Sequence, residues 1–271
     1  MKNRIITVLQ GLLFPEGPAV DAKGNIWFVE QKGGTVGCLS PDQKLRRIPV
    51  DNGFPNGIAI DRNEHIWFCD ASNDCISRLN PETLTIEIMC SEMDGRPLNH
   101  PNDLAFDIQG IPVFTCPGNS RHEPTGYVCA WSPDGIKKIG DGMFFPNGLA
   151  FTSDGEELVI AETYRHRLWK GKWDMQSKTW YDARTWVTVG GPIGPDGMAF
   201  SEDGDLYVAV YGQKAIKIIS PQGIIVDAIE LPGQNPTNCA FLPDGGLLVT
   251  EAERGELLII DNGKKGRKLF T

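Results

Sequence analysis

Six residues of this chain that each follow a proline can do chemistry together: Glu16, Asn56, Asn102, Asn147, Asp196 and Thr237. All are oxygen donors and none is apolar. Two carboxylates with up to three amide oxygens suit a hard divalent cation, because Ca²⁺ and Mg²⁺ take oxygen ligands and Zn²⁺ or Mn²⁺ accept them. An Asn or Asp beside a proline can also simply cap a turn, and for Asn56 taken alone that is the better account. It does not serve for Glu16 and Asp196 together. Two carboxylates facing one channel repel and lose hydration unless a cation sits between them.

The elements that must bring these residues together are visible as a repeat. FPEGPAVDAKGNIWFVE begins at Phe14, FPNGIAIDRNEHIWFCD at Phe54 and HPNDLAFDIQGIPVFTC at His100; FPNGLAFTSDGEELVIAE begins at Phe145, GPDGMAFSEDGDLYVAV at Gly194 and NPTNCAFLPDGGLLVTE at Asn235. The six prolines, at 15, 55, 101, 146, 195 and 236, recur every 40–49 residues. A fixed period of that size marks a stacked or radial architecture. Each copy opens with a short apolar strand, passes a Gly/Asp/Asn-rich turn and returns as a second apolar strand, the signature of a hairpin. A third strand follows (TVGCLS, CISRLN, YVCAWS, RLWKGK, AIKIIS, ELLIID), then a weaker fourth (LRRIPV, TIEIMC, IKKIG, TWVTV, IIVDAIEL, RKLF). No copy holds a helical segment of 3.6-residue period, which sets helical repeats aside.

The pattern predicts an all-β, six-bladed β-propeller with four antiparallel strands per blade. One domain spans 1–271, with blades at about 14–53, 54–99, 100–144, 145–193, 194–234 and 235–271. The N-terminal RIITVLQ, within 3–11, is expected to pair with the last blade and close the ring, removing exposed sheet edges. If each inner strand runs from top to bottom, the residue after each proline points into the upper mouth of the central channel, and turns such as DAKG and SEDG lie below. Trp27, Trp67, Trp131 and Trp169 read as packing between blades, and His65 falls in a lower turn.

Composition excludes other classes. With 26 Lys and Arg against 35 Asp and Glu the formal charge is −9, so a nucleic-acid partner, which needs a basic stripe, is not expected. No apolar run reaches the ~18 residues of a membrane span, and the first segment lacks the apolar core of a signal peptide. The 7 cysteines are odd in number and never spaced C-x-x-C, which reads as reduced thiols in a cytoplasmic protein. A closed propeller needs no oligomer to fold. Nucleophile motifs (S-x-x-K, G-x-S-x-G) and phosphate loops are absent, and Cys116 has no recognisable base beside it.

The F-P-E-G-P start, H-P-N-D-L followed by a P-G loop, F-P-N-G-L-A-F, P-D-G-M-A-F and P-T-N-C-A-F resemble the gluconolactonase and regucalcin (senescence marker protein) family, in order and over residues 12–261. The resemblance implies one divalent metal ion (Ca, Zn, Mg or Mn) held by Glu16, Asn147 and Asp196, with Asn102 binding metal or substrate hydroxyls. Several members carry an Arg two residues before that Asn, where this chain has His100, and F-T-D-P-G is common where this chain reads Phe114-Thr115-Cys116-Pro117-Gly118.

The activity so implied is metal-dependent hydrolysis of a small-molecule sugar-type lactone. A cation polarises the carbonyl and stabilises the oxyanion, Asp196 guides or deprotonates the attacking water, and Asn102 and His100 meet sugar hydroxyls. The longest rim loop, 117–126, brings Arg121 and His122, which suit an anionic substituent; Tyr164, and less so His166, can line the mouth. Two other functions fit the same site: phosphotriester or other ester hydrolysis, and calcium binding without catalysis.

Overall fold

The computed structural model describes residues 4–267. It is an all-β ring of six four-stranded sheets. Blade one is built from Pro15–Val20, Ile26–Glu30, Thr35–Leu39 and Leu45–Pro49, from the channel outward, all antiparallel. Blades two to five repeat this order, with inner strands Pro55–Ile60, Leu104–Phe106, Pro146–Phe151 and Gly194–Phe200. In blade six the inner strand Pro236–Phe241 is followed by Leu247–Glu251 and Glu256–Asp261, and the outermost place is taken by Arg4–Leu9, paired Arg4 to Asp261.

The N-terminal strand therefore closes the ring, and the fourth strand expected at RKLF falls on residues that are mostly outside the described range. Gly266 makes one bridge to Ser201 beneath blade five, Arg267 N–H donates to the Phe200 carbonyl (3.1 Å), and Lys268, Leu269 and Phe270 lie outside the described residues.

The core lies in the seams between blades. Phe28, Phe68 and Phe114 occupy one repeat position on the second strands, and all three have 0 % exposure. Each contributes about 1.5–3 kcal/mol by leaving water. Below, Asp21 and Asp61 hold the hairpin turns and accept the indole N–H of Trp27 and Trp67 (2.9 Å each). Asp61 also meets the His65 ring at 3.2 Å, which places that histidine in a lower turn. Trp27 and Trp67 are buried; Trp131 and Trp169 are only half-buried.

At the upper end the inner strands break register. Pairing slips between Glu16 and Ala19, Pro55 and Ile58, Pro146 and Leu149, Pro195 and Met198, and Pro236 and Asn238. A bulge of this kind bends its strand and re-aims a side chain. In blades one, two, four and five the slip lies within or just after P-x-G, beside the residue that follows the proline; in blade six it falls on Thr237 of P-T-N, and in blade three the inner strand pairs only from Leu104.

Candidate active site

Glu16, Asn56, Asn147 and Asp196 are all buried at the upper end of the channel, and Asn102 is half-buried. Their backbones are tied blade to blade. Thr115 Oγ1 donates to the Asn147 carbonyl (2.9 Å), Thr163 Oγ1 to Pro195 (2.8 Å) and Thr237 Oγ1 to Pro15 (2.8 Å), while Gly57 N–H donates to the Asn102 carbonyl (2.8 Å). Thr237 thus spends its hydroxyl on the seam between blades six and one, and does not offer it to the channel.

The carboxylates are short of donors. Glu16 Oε2 accepts the neighbouring Gly17 N–H (3.0 Å), and the Asn238 amide also reaches this side chain. Burial first, then the charges of Asp196 and Asp103, push its carboxyl well above the usual range. Asp196 is raised well above its usual value by burial and by Asp103, with only the Asn147 amide opposing. No Lys or Arg is among the groups acting on either acid. The Asn147 amide nitrogen lies 3.3 Å from Thr163 Oγ1, which orients the side chain. Among the described residues the Asn56 and Asn102 side-chain amides have no protein hydrogen-bond partner.

Two residues that sequence reasoning did not single out form the floor. One place beyond the ligand position, four blades carry glycine (Gly17, Gly57, Gly148, Gly197) and blades three and six carry Asp103 and Asn238. A Cβ at Gly57 would collide with the Asp103 carboxylate, and one at Gly197 with the Asn238 amide. The two glycines clear space for two side chains from opposite blades, and Asn238 Nδ2 meets Asp103 Oδ2 at 3.2 Å across the channel. Burial raises Asp103 to about 7. The exchange of Gly for Asp and Asn at one repeat position was the available signal.

Three carboxylates thus cluster without a cationic partner, beside amide oxygens that lack one. No group of three or more His, Cys, Asp or Glu among the described residues is arranged to hold a metal by itself. The donor set suits an ion that accepts amide oxygens as well, which is hard-cation chemistry, and Glu16, Asp196, Asn147 and Asn102 are the residues that could hold it.

At the rim, His100 is exposed, its N–H donating to Asp74 Oδ1 (2.8 Å) and its ring Nδ1 lying 2.7 Å from the Ala71 carbonyl. Loop 117–126 is pinned by buried Ser120, whose Oγ accepts the Phe145 N–H (2.9 Å). Arg121 stands 5.7 Å over both the Phe145 and Tyr164 rings, while His122 is exposed. Tyr164 packs edge-on to Phe145 at 5.5 Å. Tyr211 stacks on Phe14 at 6.4 Å, and its phenol is raised by burial and then by Asp196 and Glu16. His166 caps the short turn Thr163–Arg165, and its Nδ1 is buried without a partner. Cys116 is buried and burial holds it as the thiol, which does not suit a nucleophile.

The other buried acids near this face are structural. Glu30, Asp70, Glu162 and Glu251 end the second strands of four blades and accept the backbone N–H of Leu13 (3.0 Å), Phe54 (2.9 Å), Phe144 (2.7 Å) and Asn235 (2.8 Å). Glu30 and Glu162 also pair with Arg47 and Arg167. Blades three and five have Cys116 and Val210 at this place. In blade three the Tyr127 hydroxyl takes over, accepting the Asn99 N–H (3.0 Å).

Comparison with known proteins agrees with this architecture. The chain is 30% identical over 206 residues to diisopropyl-fluorophosphatase of Loligo vulgaris, covering 68% of this chain and 64% of that protein. It is 28% identical over 185 residues to the lactonase drp35 of Staphylococcus aureus (strain MW2), covering 62% of this chain and 57% of that one. Both matches thus span less than two thirds of the relative's own length. In fold it matches the crystal structure of a calcium-binding protein, regucalcin, from Agrobacterium tumefaciens with a TM-score of 0.85, 20% identity and coverage of 98% of this chain and 96% of that one. A family model described as the SMP-30/gluconolactonase/LRE-like region matches residues 14–253, and the chain belongs to that family.

Proposed function

We propose that this protein hydrolyses a lactone with the help of one divalent cation at the upper mouth of the channel. The observation that carries this reading is the buried, uncompensated pair Glu16 and Asp196, with the Asn147 amide touching one of them and Asn102 uncommitted beside them. Burying such charges unpaired is costly, and a dication neutralises two of them. The names of two relatives, a lactonase and a calcium-binding protein, support the same assignment.

The bound ion supplies Lewis-acid polarisation of the ester carbonyl and stabilises charge as it develops on that oxygen. This chain's residues do the rest. Glu16, Asn147 and Asn102 orient the site; Asp196 positions the attacking water and takes its proton; Asp103 and Asn238 close the channel below, keeping bulk water from entering behind the substrate. His100, Arg121, His122 and Tyr164 form the rim around the leaving portion of the ring. A lactone and Ca²⁺ are the assignments made here, with a sugar-type ring as the substrate class implied by the resemblance and Mg²⁺, Mn²⁺ and Zn²⁺ as the ions to compare.

Phosphoester hydrolysis is the second reading, favoured by similarity to diisopropyl-fluorophosphatase. Among the described residues no helix is long and apolar enough to cross a membrane. The seven free cysteines suit a reducing compartment, and cytoplasmic location is proposed on that ground.

The test is a pH-indicator assay with neutral and acidic lactones and a phosphotriester, after chelation and after return of single ions. Turnover restored by an ion and lost in both Glu16→Gln and Asp196→Asn is the expected result. Lactone hydrolysis that survives chelation would sink the metal-dependent reading, and activity on the phosphotriester alone would transfer the assignment to the second one.

A further inference from the structure

The mouth of the channel is lopsided. On the side of blades four, five and one it is aromatic, and two features of the backbone put it there. Phe14 and Phe145, each preceding a proline, have φ of 59° and 62°. A bulky residue in the left-handed region is an outlier, and one that precedes proline is confined further. Such a conformation persists only where the surroundings over-determine it. The surroundings do so here: Phe14 accepts the Gln31 N–H (3.0 Å), and Phe145 accepts the Thr163 N–H (3.1 Å) while donating to Ser120.

The result is that neither ring joins the fully buried core. Phe14 meets Tyr211, and Phe145 meets Tyr164. In blade five the place of the strand-end carboxylate is taken by Val210, paired with Pro195, and the next residue, Tyr211, sets a ring opposite Gly194 and near enough to Asp196 for that carboxylate to act on its phenol. Thr163, the neighbour of Tyr164, packs its carbonyl on Gly194 and donates to the Pro195 carbonyl, and Gly194 pairs with Tyr211, which sets the two aromatic pairs side by side at the mouth, next to Asp196.

On the rim, two of the groups that would meet hydroxyls are engaged elsewhere. Arg121 lies over the Phe145 and Tyr164 rings, and the His100 ring is turned to the Ala71 carbonyl. A polyhydroxylated ring would lose its hydration against this wall and gain few partners in return. A flat apolar group would bury aromatic surface on it, in the offset and edge-to-face arrangements that rings favour.

Resting on the lactone-hydrolase reading, we infer that the preferred substrate is a lactone with an aryl or similarly flat apolar substituent. Phe14, Phe145, Tyr164 and Tyr211 are its specificity-determining wall.

The experiment compares kcat/KM for γ-phenyl-γ-butyrolactone and galactono-γ-lactone, which share a ring size, in the wild type, Tyr164→Ala and Phe145→Ala, with the activating ion present. The phenyl lactone is expected to be preferred by about tenfold or more, the scale on which an apolar pocket discriminates. That preference should fall about tenfold in Tyr164→Ala. Tyr164→Leu, which keeps bulk but not the ring, covers the case in which an alanine variant does not fold, as judged by its thermal melt.

A preference for the galactono-lactone, or a ratio that none of the variants moves, overturns the inference. If neither lactone is turned over, the hydrolase reading fails separately. The wall is then tested by calorimetric titration of 4-hydroxy-4-phenylbutanoate against galactonate. Tighter binding of the phenyl acid that weakens in Tyr164→Ala upholds the wall, and equal or absent binding of both rejects it.

Discussion

Two sets of buried carboxylates sit within a few residues of the same face and do opposite things. Glu30, Asp70, Glu162 and Glu251, at the ends of second strands, are at most 2 % exposed. Glu162 takes the Phe144 N–H, the Arg167 guanidinium (2.6 Å) and the Trp169 indole (2.7 Å), and Glu251 takes the N–H groups of Asn235, Glu253 (3.1 Å) and Arg254 (2.7 Å). Glu16, Asp103 and Asp196 are buried too but accept little beyond a neighbouring N–H or an amide, and they repel one another. Burial of an acid is therefore no sign of function by itself. The sign is a shortage of donors around it, which leaves room for a cation that the chain does not itself supply.

The sharpest way to break this contrast is to neutralise one acid of each kind. Asp196→Asn and Glu16→Gln should each lower kcat/KM for the lactone by about a thousandfold, the scale of losing a major electrostatic element. The chelated variants should melt no lower than the chelated wild type. A variant that keeps full activity, or that unfolds, would put Asp196 or Glu16 with the structural acids.

Glu162→Leu is the counterpart. It strands three donors, the Phe144 N–H, the Trp169 indole and the partly exposed Arg167, and should cost about 3 kcal/mol of stability by urea denaturation, at about 1–3 kcal/mol for each buried donor left without a partner. A loss below about 1 kcal/mol would mean that strand-end acids are not what hold the entry loops.

Acid–base linkage gives a smaller test. A carboxyl raised by folding makes the folded state bind protons more tightly than the unfolded chain, so its stabilising effect is complete at low pH and is lost as pH rises through the folded value. For Asp103 the window runs from the ordinary 3.8 to about 7, and Glu16 and Asp196 act in the same direction. The chelated protein should therefore melt lower at pH 8 than at pH 5.5, and a saturating cation should flatten that slope by replacing the protons. A melting temperature that rises with pH under chelation would contradict the placement of these acids.

The smallest expected effect belongs to Asp103→Asn, which keeps a partner for Asn238 and removes one charge. Part of the pH slope should disappear, and kcat/KM should fall about tenfold or less. A loss as deep as that of Asp196→Asn would promote Asp103 from floor to ligand.

Much of the fold was legible because a propeller repeats the same local problem six times. Each blade needs a hairpin, a turn residue that holds it and apolar residues facing its neighbours, so the period and the P-x-G bulge show in the sequence. The ring of oxygen donors was legible for the same reason: the bulge recurs at a fixed place. Apolar pattern alone could not say which of RIITVLQ and RKLF takes the outer edge of blade six, and the pairing of Arg4–Leu9 with Glu256–Asp261 puts RIITVLQ there. Thr237 misled because its hydroxyl satisfies the Pro15 carbonyl of a neighbouring blade 222 residues away in sequence.

By itself, then, the sequence determined the six-bladed ring and the circle of polar residues after its prolines, since both follow from local periodicity. Only the tertiary structure decided which acids are satisfied and which are not, that Asp103 and Asn238 meet across the channel through the gaps left by Gly57 and Gly197, and that rings from blades one, four and five stand together beside Asp196. Those outcomes depend on distances between distant segments once the ring closes, and no local pattern encodes them.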